Sequence, residues 1–196
     1  MMSATLVDFT DLAIPLPSFL LIDTSVLLNA LRPDVGAPIY HDDAKEFLKR
    51  LEGEAIAGRT IPLITLPVLE ECVFKILQSK FAAEAKNRGL PPGQWHQVYK
   101  HNPELIESQF YSEIQQFRNA LSGIPVLTVE PEDLSTAKAG AAALNETMCL
   151  YIESFHLLPQ DALNLAIANR LNVNDVVAID ADLHRADGFT IYTCLV

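Results

Sequence analysis

Short apolar runs alternate along this chain with segments whose apolar residues recur at helical spacing. Five runs are of strand type and end at acids or turn residues: 19–23, 61–65, 124–129, 176–180 and 189–193. Six further segments carry helical patterns: 25–33, 41–58, a stretch after Pro67, about 103–121, and stretches opened by Glu130 and by Pro159. Strands that alternate with helices are typical of α/β proteins. We therefore predict a mostly parallel sheet of four to five strands, covered by helices on both faces.

The 196 residues suit one domain with a short preceding segment. Residues 1–18 are mixed in character and end in Pro15 and Pro17, so we expect an N-terminal arm before the first element. Residues 19–196 are expected to form a single domain with an expanded helical region at about 80–120. The sequence GLPPG at 89–93 is interpreted as a loop tip, because the pieces on either side would each be too small to fold alone.

Composition narrows the class of protein. Hydrophobic residues make up 49% and charged residues 20%, which excludes a disordered or collagen-like chain. The three cysteines show no metal-binding spacing, and neither a signal peptide nor a membrane-length apolar stretch is present, so we expect a cytoplasmic protein. A net charge of −11 does not suit nucleic-acid binding by bulk charge. An RNA-binding function would require a local basic patch, or metal ions that offset repulsion from phosphates.

One group of acids stands out because its members fall at strand ends or helix starts: Asp23, Glu70, Glu71, Asp161, Asp180 and Asp182. In a parallel sheet these positions share one edge, where ligands bind. Crowded carboxylates repel one another and persist most easily around a cation. Oxygen ligands without His or Cys suit Mg²⁺ or Mn²⁺. Each acid alone also has a structural interpretation, since Asp23 or Asp161 would stabilise a helix N-terminus.

Four segments together resemble the motifs of the PIN-domain family of metal-dependent nucleases: LLIDTSVLLNAL, ITLPVLEECVFKI, DALNLAIANRL and VVAIDADLHRADGFTIY. Each motif is weak alone, but they occur in the family's order and spacing across 19–196. The resemblance implies an α/β/α sandwich that hydrolyses RNA phosphodiesters with Mg²⁺ or Mn²⁺. Two features depart from the family: the chain is longer than compact toxin-type members, and Ala178-Ile179 stands where many members have Thr-Asn.

Carried over by position, the resemblance implies one set of site residues: Asp23, Glu71, Asp161 and Asp180, with Asp182 as a helper and the hydroxyls of Thr24 and Ser25 in support. The family's spacing favours Glu71, although Glu70 remains an alternative at this point. Thr24 or Ser25 has an equally ordinary interpretation as a helix cap. Toxin-type members are held by an antitoxin, so an antitoxin partner is an open possibility for this chain.

A basic segment supplies a candidate RNA path. Lys75, Lys80, Lys86 and Arg88, with Lys100, oppose a single acid between 72 and 101 and are interleaved with Trp95, Tyr99, His96 and His101. Basic and aromatic side chains together suit single-stranded RNA. An ordinary solvated helix face is the alternative. A homodimer is also expected, from the resemblance and from apolar helix residues beyond what one thin sandwich would bury: Phe47, Leu51, Phe110 and Phe117.

Two other functional classes are alternatives for this sequence. Phosphatases of the haloacid-dehalogenase type require a second Asp two residues after the first, and that position here is Ser25. A PIN fold with weak or no catalysis, retained for RNA binding or assembly, is the serious alternative to an enzyme. The complete set of acids favours the metal-dependent ribonuclease.

Overall fold

The structure is a computed structural model that describes residues 3–130, 134 and 141–196. These residues contain six strands: Thr5–Asp8 (β1), Phe19–Ile22 (β2), Ile61–Thr65 (β3), Leu127–Val129 (β4), Asp175–Val177 (β5) and Thr190–Thr193 (β6). They also contain seven α-helices: Thr24–Leu31 (α1), His41–Ile56 (α2), Leu66–Asn87 (α3), Trp95–His101 (α4), Tyr111–Ser122 (α5), Ala141–Phe155 (α6) and Pro159–Arg170 (α7). A π-helical turn, Ile106–Phe110, leads into α5.

All six strands are parallel and form one sheet in the order β1-β6-β5-β2-β3-β4. Along β2 and β5 successive side chains pack into hydrophobic cores on opposite faces of the sheet. Leu20, Ile22 and Val177 pack with α1, α2 and α3, whereas Leu21 and Val176 pack against α6 and α7. The alternation follows from the two-residue period of a strand. The predicted α/β fold with three layers is thereby confirmed.

All five predicted strands are present, but the sheet has a sixth. The segment 1–18, which we expected to be an arm before the first element, carries β1, which pairs with β6 at the edge of the sheet. The strand is only four residues long and is partly exposed, so its sequence lacks the continuous apolar run of a central strand. Arg50 on α2 holds the rest of the segment, because its guanidinium donates to the carbonyl oxygens of Phe9, Asp11 and Ile14.

The helices follow the predicted pattern with two additions. The helices predicted at 25–33, at 41–58, after Pro67, at 103–121 and after Pro159 correspond to α1, α2, α3, the π-helical turn with α5, and α7. Helices α4 and α6 were not predicted from the sequence. The helix predicted to open over 130–133 begins at residues that lie outside the described part of the chain after Glu130.

The region at 80–120 forms a small core of its own beneath the second half of α3. Phe81 and Ala85 pack there with Val98, Leu105 and Phe110. The rings of Phe81 and Phe110 meet edge to face at 4.9 Å between centroids. The second half of α3 therefore supports α4 and the π-helical turn instead of the central sheet.

The four apolar residues that suggested a homodimer are buried within the chain. Phe47 and Leu51 on α2 face the sheet, Phe117 on α5 joins the same core, and Phe110 lies beneath α3. The region at 80–120 supplies the apolar partners that a thin sandwich lacks. These side chains no longer argue for a dimer, and the dimer itself stays a prediction.

No helix in the described part of the chain is both long enough and apolar enough to cross a membrane.

Candidate metal centre

The topology of the sheet brings two acids together at its centre. The chain proceeds from β2 to β3 on one side, then returns to place β5 on the other side of β2. Strand order thus reverses between β2 and β5, and ligands of open α/β sheets bind at such a switch point, beyond the carboxyl ends of the strands. Asp23 follows β2 directly, and Asp180 lies three residues after β5.

Asp23 is buried and held in place by Ser25. Its Oδ2 accepts hydrogen bonds from the backbone N–H and the hydroxyl of Ser25, at 2.9 and 2.5 Å, so Asp23 caps α1. The Ser25 Oγ in turn accepts from the backbone N–H of Ile179 at 2.9 Å. Burial raises the pKa of Asp23 to about 6, with smaller contributions from the charges of Glu71 and Asp180. One serine therefore links the ends of β2 and β5.

Glu71 belongs to this centre, and Glu70 points elsewhere. The hydroxyl of Thr24 donates to Glu71 Oε2 at 2.9 Å, and the charge of Glu71 contributes to raising the pKa of both Asp23 and Asp161. Glu70 is exposed and borders an apolar groove with Leu66, Leu69 and Val73. The two neighbours differ by about 100° around the helix axis. The geometry therefore favours Glu71, as the family spacing did.

Asp161 occupies the first turn of α7 and faces the other acids. Its pKa is raised to about 7, first by burial and then by the negative charges of Asp23, Asp180, Glu71 and Asp182. Within the described residues its carboxylate receives no hydrogen bond. Asp161 is thus a partly buried acid whose pKa the charges of four other acids raise further.

The carboxylates of Asp180 and Asp182 have different interaction partners. Asp180 Oδ1 accepts from the backbone N–H of Asp182 at 2.8 Å, which caps the short 3₁₀ helix Ala181–Arg185. Asp182 is paired with the guanidinium of Arg185 at 2.9 Å, and both side chains are about half exposed. Asp182 therefore lies at the rim of the centre, where a neighbouring cation already offsets its charge.

In the part of the chain that the structure describes, no basic side chain neutralises the interior of the centre. Among the described residues, Asp23, Glu71, Asp161 and Asp180 form no ion pair with any Lys, Arg or His. Their oxygens are a hard donor set that suits Mg²⁺ or Mn²⁺. Within the same part of the chain, however, no three acids, histidines or cysteines are gathered as closely as a formed metal site would hold them. The acids are therefore near enough to perturb one another's pKa, yet further apart than the ligands of a formed metal site.

Two polar residues that were not predicted from the sequence lie near the acids. Asn164 lies one turn after Asp161 on α7, is buried, and accepts a 2.9 Å hydrogen bond from the Thr65 hydroxyl through Oδ1. Its Nδ2 is buried without a partner in the described residues. Thr65 ends β3 and caps α3. The available signal was a single polar residue inside the apolar run of DALNLAIA.

Two of the predicted RNA-binding residues, Lys80 and Arg88, form ion pairs with acids of the same chain. Lys80 Nζ lies 3.1 Å from Glu113 and 3.9 Å from Asp34. Arg88 is paired with Glu84 at 2.7 Å, one turn earlier on α3. Their positive charge is largely offset within the fold, so they contribute less to an RNA-binding field than the sequence suggested.

Three other cations of the basic segment are free. Lys75, Lys86 and Lys100 are exposed and form no ion pair within the described residues. Lys75 lies one turn after Glu71 on α3, and Lys100 lies on α4 beside Tyr99. The uncompensated positive charge therefore flanks α4 and extends along α3 towards the acids.

Comparisons with protein-family models and with curated proteins find no match to this chain.

Proposed function

We propose that this chain is a Mg²⁺- or Mn²⁺-dependent endoribonuclease of the PIN type, which hydrolyses phosphodiester bonds in RNA. The observation that carries the proposal is that Asp23, Glu71 and Asp161 lie near enough at the topological switch point to perturb one another, and that none of them forms an ion pair with a basic side chain among the described residues. Carboxylates in such surroundings favour a divalent cation. The order of the four motifs along the chain, already given, adds support from the family resemblance.

Each acid has a stated role in this proposal. Asp23 and Asp161 would hold the ion, and Glu71, Asp180 and Asp182 would complete its surroundings, directly or through water. A bound divalent ion supplies an activated water and relief of negative charge on the phosphate. Ser25 fixes the orientation of Asp23, and Thr24 fixes that of Glu71.

A cleavage assay with paired variants tests the proposal. We expect a labelled single-stranded RNA to be cleaved with Mn²⁺ or Mg²⁺ and to remain intact in EDTA. Asp23→Asn and Asp161→Asn keep the size of the side chain while removing charge, so cleavage should be lost while RNA binding is largely retained. Glu70→Gln is the matched control, because Glu70 is exposed and faces the apolar groove, and it should cleave normally. Equal cleavage by all four proteins would refute the assignment.

The second candidate is a PIN-type module that binds RNA or assembles with a partner without catalysis. It is favoured by the finding that, in the described part of the chain, no three acids are gathered as in a formed metal site. Calorimetric titration with Mn²⁺ separates the candidates. Heat of binding that disappears in Asp161→Asn supports the nuclease, whereas no binding and no cleavage of any RNA supports the module.

Three further features of the proposal come from the resemblance or from composition. A toxin role would require an antitoxin protein that covers the acids. Expression of this chain alone should then slow cell growth, and co-expression with the neighbouring gene product should restore it. A homodimer would be detected by light scattering. A cytoplasmic location is proposed from the three free cysteines, Cys72, Cys149 and Cys194.

A further inference from the structure

An aromatic cleft opens between α3, α4 and the π-helical turn. Its wall comprises Phe74, Gln78, Trp95, Tyr99 and Ile106, above the buried ring of Phe81, and its volume is about 210 Å³. Phe74 and Trp95 meet edge to face at 5.9 Å, and Tyr99 meets Phe81 at 5.4 Å. Sites for drug-sized ligands span about 300–1,000 Å³, so this cleft suits a single planar ring system.

We propose that this aromatic cleft binds an unstacked base of single-stranded RNA, an inference that rests on the proposed RNA substrate. Phe74 and Tyr99 leave 47% and 46% of their surface exposed, although their neighbours Ile76 and Val98 are buried. Exposed aromatic faces are the surfaces on which RNA bases stack. The side-chain amide of Gln78 makes no hydrogen bond within the described residues, so it is free to pair with the edge of a base.

The charges around the cleft match a phosphate backbone. Lys75 adjoins Phe74 on α3, and Lys100 adjoins Tyr99 on α4; both are exposed and form no ion pair in the described part of the chain. Glu107, beside Ile106, is the nearest acid in sequence to the lining. In a chain of net charge −11, two exposed lysines that directly follow aromatic residues of the cleft are a local positive charge that favours a polyanion there.

The position of the cleft along α3 connects it to the acids. Glu71 precedes Phe74 and Lys75 by about one turn and Gln78 by about two, and each turn advances by about 5.4 Å. A strand whose phosphate lies at Asp23 and Glu71 would therefore reach the cleft by continuing along the same helix. In this arrangement the cleft holds a nucleotide next to the scissile bond.

The shape of the cleft argues against a protein occupant. A bound helix would require an elongated groove that accepts anchors at i, i+4 and i+7. This cleft is small and has the buried Phe81 among its lining residues, and Lys75 and Lys100, which form no ion pair within the described residues, follow two of its aromatic residues in sequence. A nucleotide fits both the size of the cleft, which suits one planar ring system, and the positive charge of the nearby lysines.

Trp95 makes the proposal directly testable, because it is the only tryptophan of the chain and it lines the cleft. Emission would be followed in EDTA during titration with a five-nucleotide oligouridine, a five-nucleotide oligoadenosine, and an abasic oligonucleotide of equal length. We expect both base-containing strands to quench Trp95 and the abasic strand to bind more weakly without quenching. Equal quenching by all three would show that phosphates alone are recognised, which overturns the proposal.

Variants separate stacking from general binding. Phe74→Ala and Tyr99→Ala should each weaken binding of the oligoadenosine by about 5- to 150-fold, the range observed for loss of one aromatic platform. Tyr111→Ala is the matched control, because Tyr111 is 48% exposed but lies outside the cleft, and its affinity should equal that of the wild type. Circular dichroism would confirm that each variant is folded. Unchanged affinity in both cleft variants would overturn the proposal.

The same proteins distinguish failure of this inference from failure of the nuclease proposal. Base-dependent quenching without cleavage in Mn²⁺ retains the cleft and removes the nuclease. Cleavage by the wild type together with wild-type affinity in both Phe74→Ala and Tyr99→Ala retains the nuclease and removes the cleft. A change of Trp95 emission with protein concentration, in the absence of RNA, would identify a second copy of the chain as the occupant and overturn the proposal.

Discussion

Crowding of carboxylates at the sheet edge should have a measurable energetic cost, and Asp161 is the residue at which to measure it. Its pKa rises from 3.8 to about 7, first through burial and then through neighbouring negative charges. At 1.36 kcal/mol for each pKa unit, that difference corresponds to about 4 kcal/mol for a group shielded from water. Asp161 is partly exposed, so screening by solvent lowers the expected cost to about 1–2 kcal/mol.

Asp161→Asn removes this cost and should stabilise the metal-free protein at pH 8. One effect opposes the gain, because a negative charge in the first turn of α7 interacts favourably with the helix N-terminus by about 0.3–1 kcal/mol. The net gain should be about 1 kcal/mol. The direction in which stability changes with pH follows from the raised pKa of Asp161. Between about pH 4 and pH 7 the folded wild type binds more protons than the unfolded chain, so the free energy of unfolding of the wild type falls as pH rises. The advantage of the variant should therefore grow over that range.

Urea unfolding in EDTA at pH 5, 6.5 and 8 measures this difference. Asp42→Asn is the matched control, since Asp42 is an exposed acid in the first turn of α2 and loses only the interaction with the helix end. It should lower stability by about 0.3–1 kcal/mol at pH 8. Excess Mn²⁺ should then stabilise the wild type more than Asp161→Asn, by about 2.7 kcal/mol at 100 times Kd. If Asp161→Asn behaves like Asp42→Asn at every pH, the reasoning about carboxylate repulsion is wrong.

The other predictions concern single side chains. Ser25→Ala removes a hydrogen bond to a buried carboxylate and should lower stability by about 1.5–3 kcal/mol in urea unfolding, with weaker Mn²⁺ binding. Lys80→Ala should lower stability because it breaks the pair with Glu113, whereas Lys75→Ala should leave unfolding unchanged and reduce the salt slope of RNA binding by about 1. Glu71→Gln should reduce cleavage severely. An equal effect of Lys80→Ala and Lys75→Ala on stability would contradict the charge assignment.

The sequence predicted the central sheet well because buried parallel strands are continuous apolar runs. All five such runs are strands, and Asp23 and Asp180, which follow two of them, lie near enough to Asp161 to raise its pKa. The edge strand Thr5–Asp8 was missed for the same reason, since half-exposed strands need no apolar run. Helix α4 is only seven residues long and depends on contacts with α3, which a local pattern does not reveal.

The basic segment shows where reasoning from local sequence fails. Counted between 72 and 101, its charges indicate a free positive field. The structure brings Glu113 and Asp34 to Lys80 from outside that window, and α3 itself pairs Arg88 with Glu84. Long-range ion pairs are invisible in a window of sequence. An RNA-binding test that replaces Lys80 would therefore confuse loss of folding with loss of binding, and Lys75 and Lys100 are the better targets.

Ser25 resolves the departure of this chain from the family pattern before Asp180. The side chains of Ala178 and Ile179 are apolar, so the polar support of the neighbouring acid was open in the sequence. Backbone groups are involved instead: the Asp180 carboxylate accepts from the N–H of Asp182, and the N–H of Ile179 donates to the Ser25 hydroxyl, which donates to Asp23. One side chain from α1 thus fixes the ends of the two strands that flank the switch point. The relative placement of Asp23 and Asp180 depends on that hydroxyl, so Ser25→Thr should preserve Mn²⁺ affinity where Ser25→Ala does not.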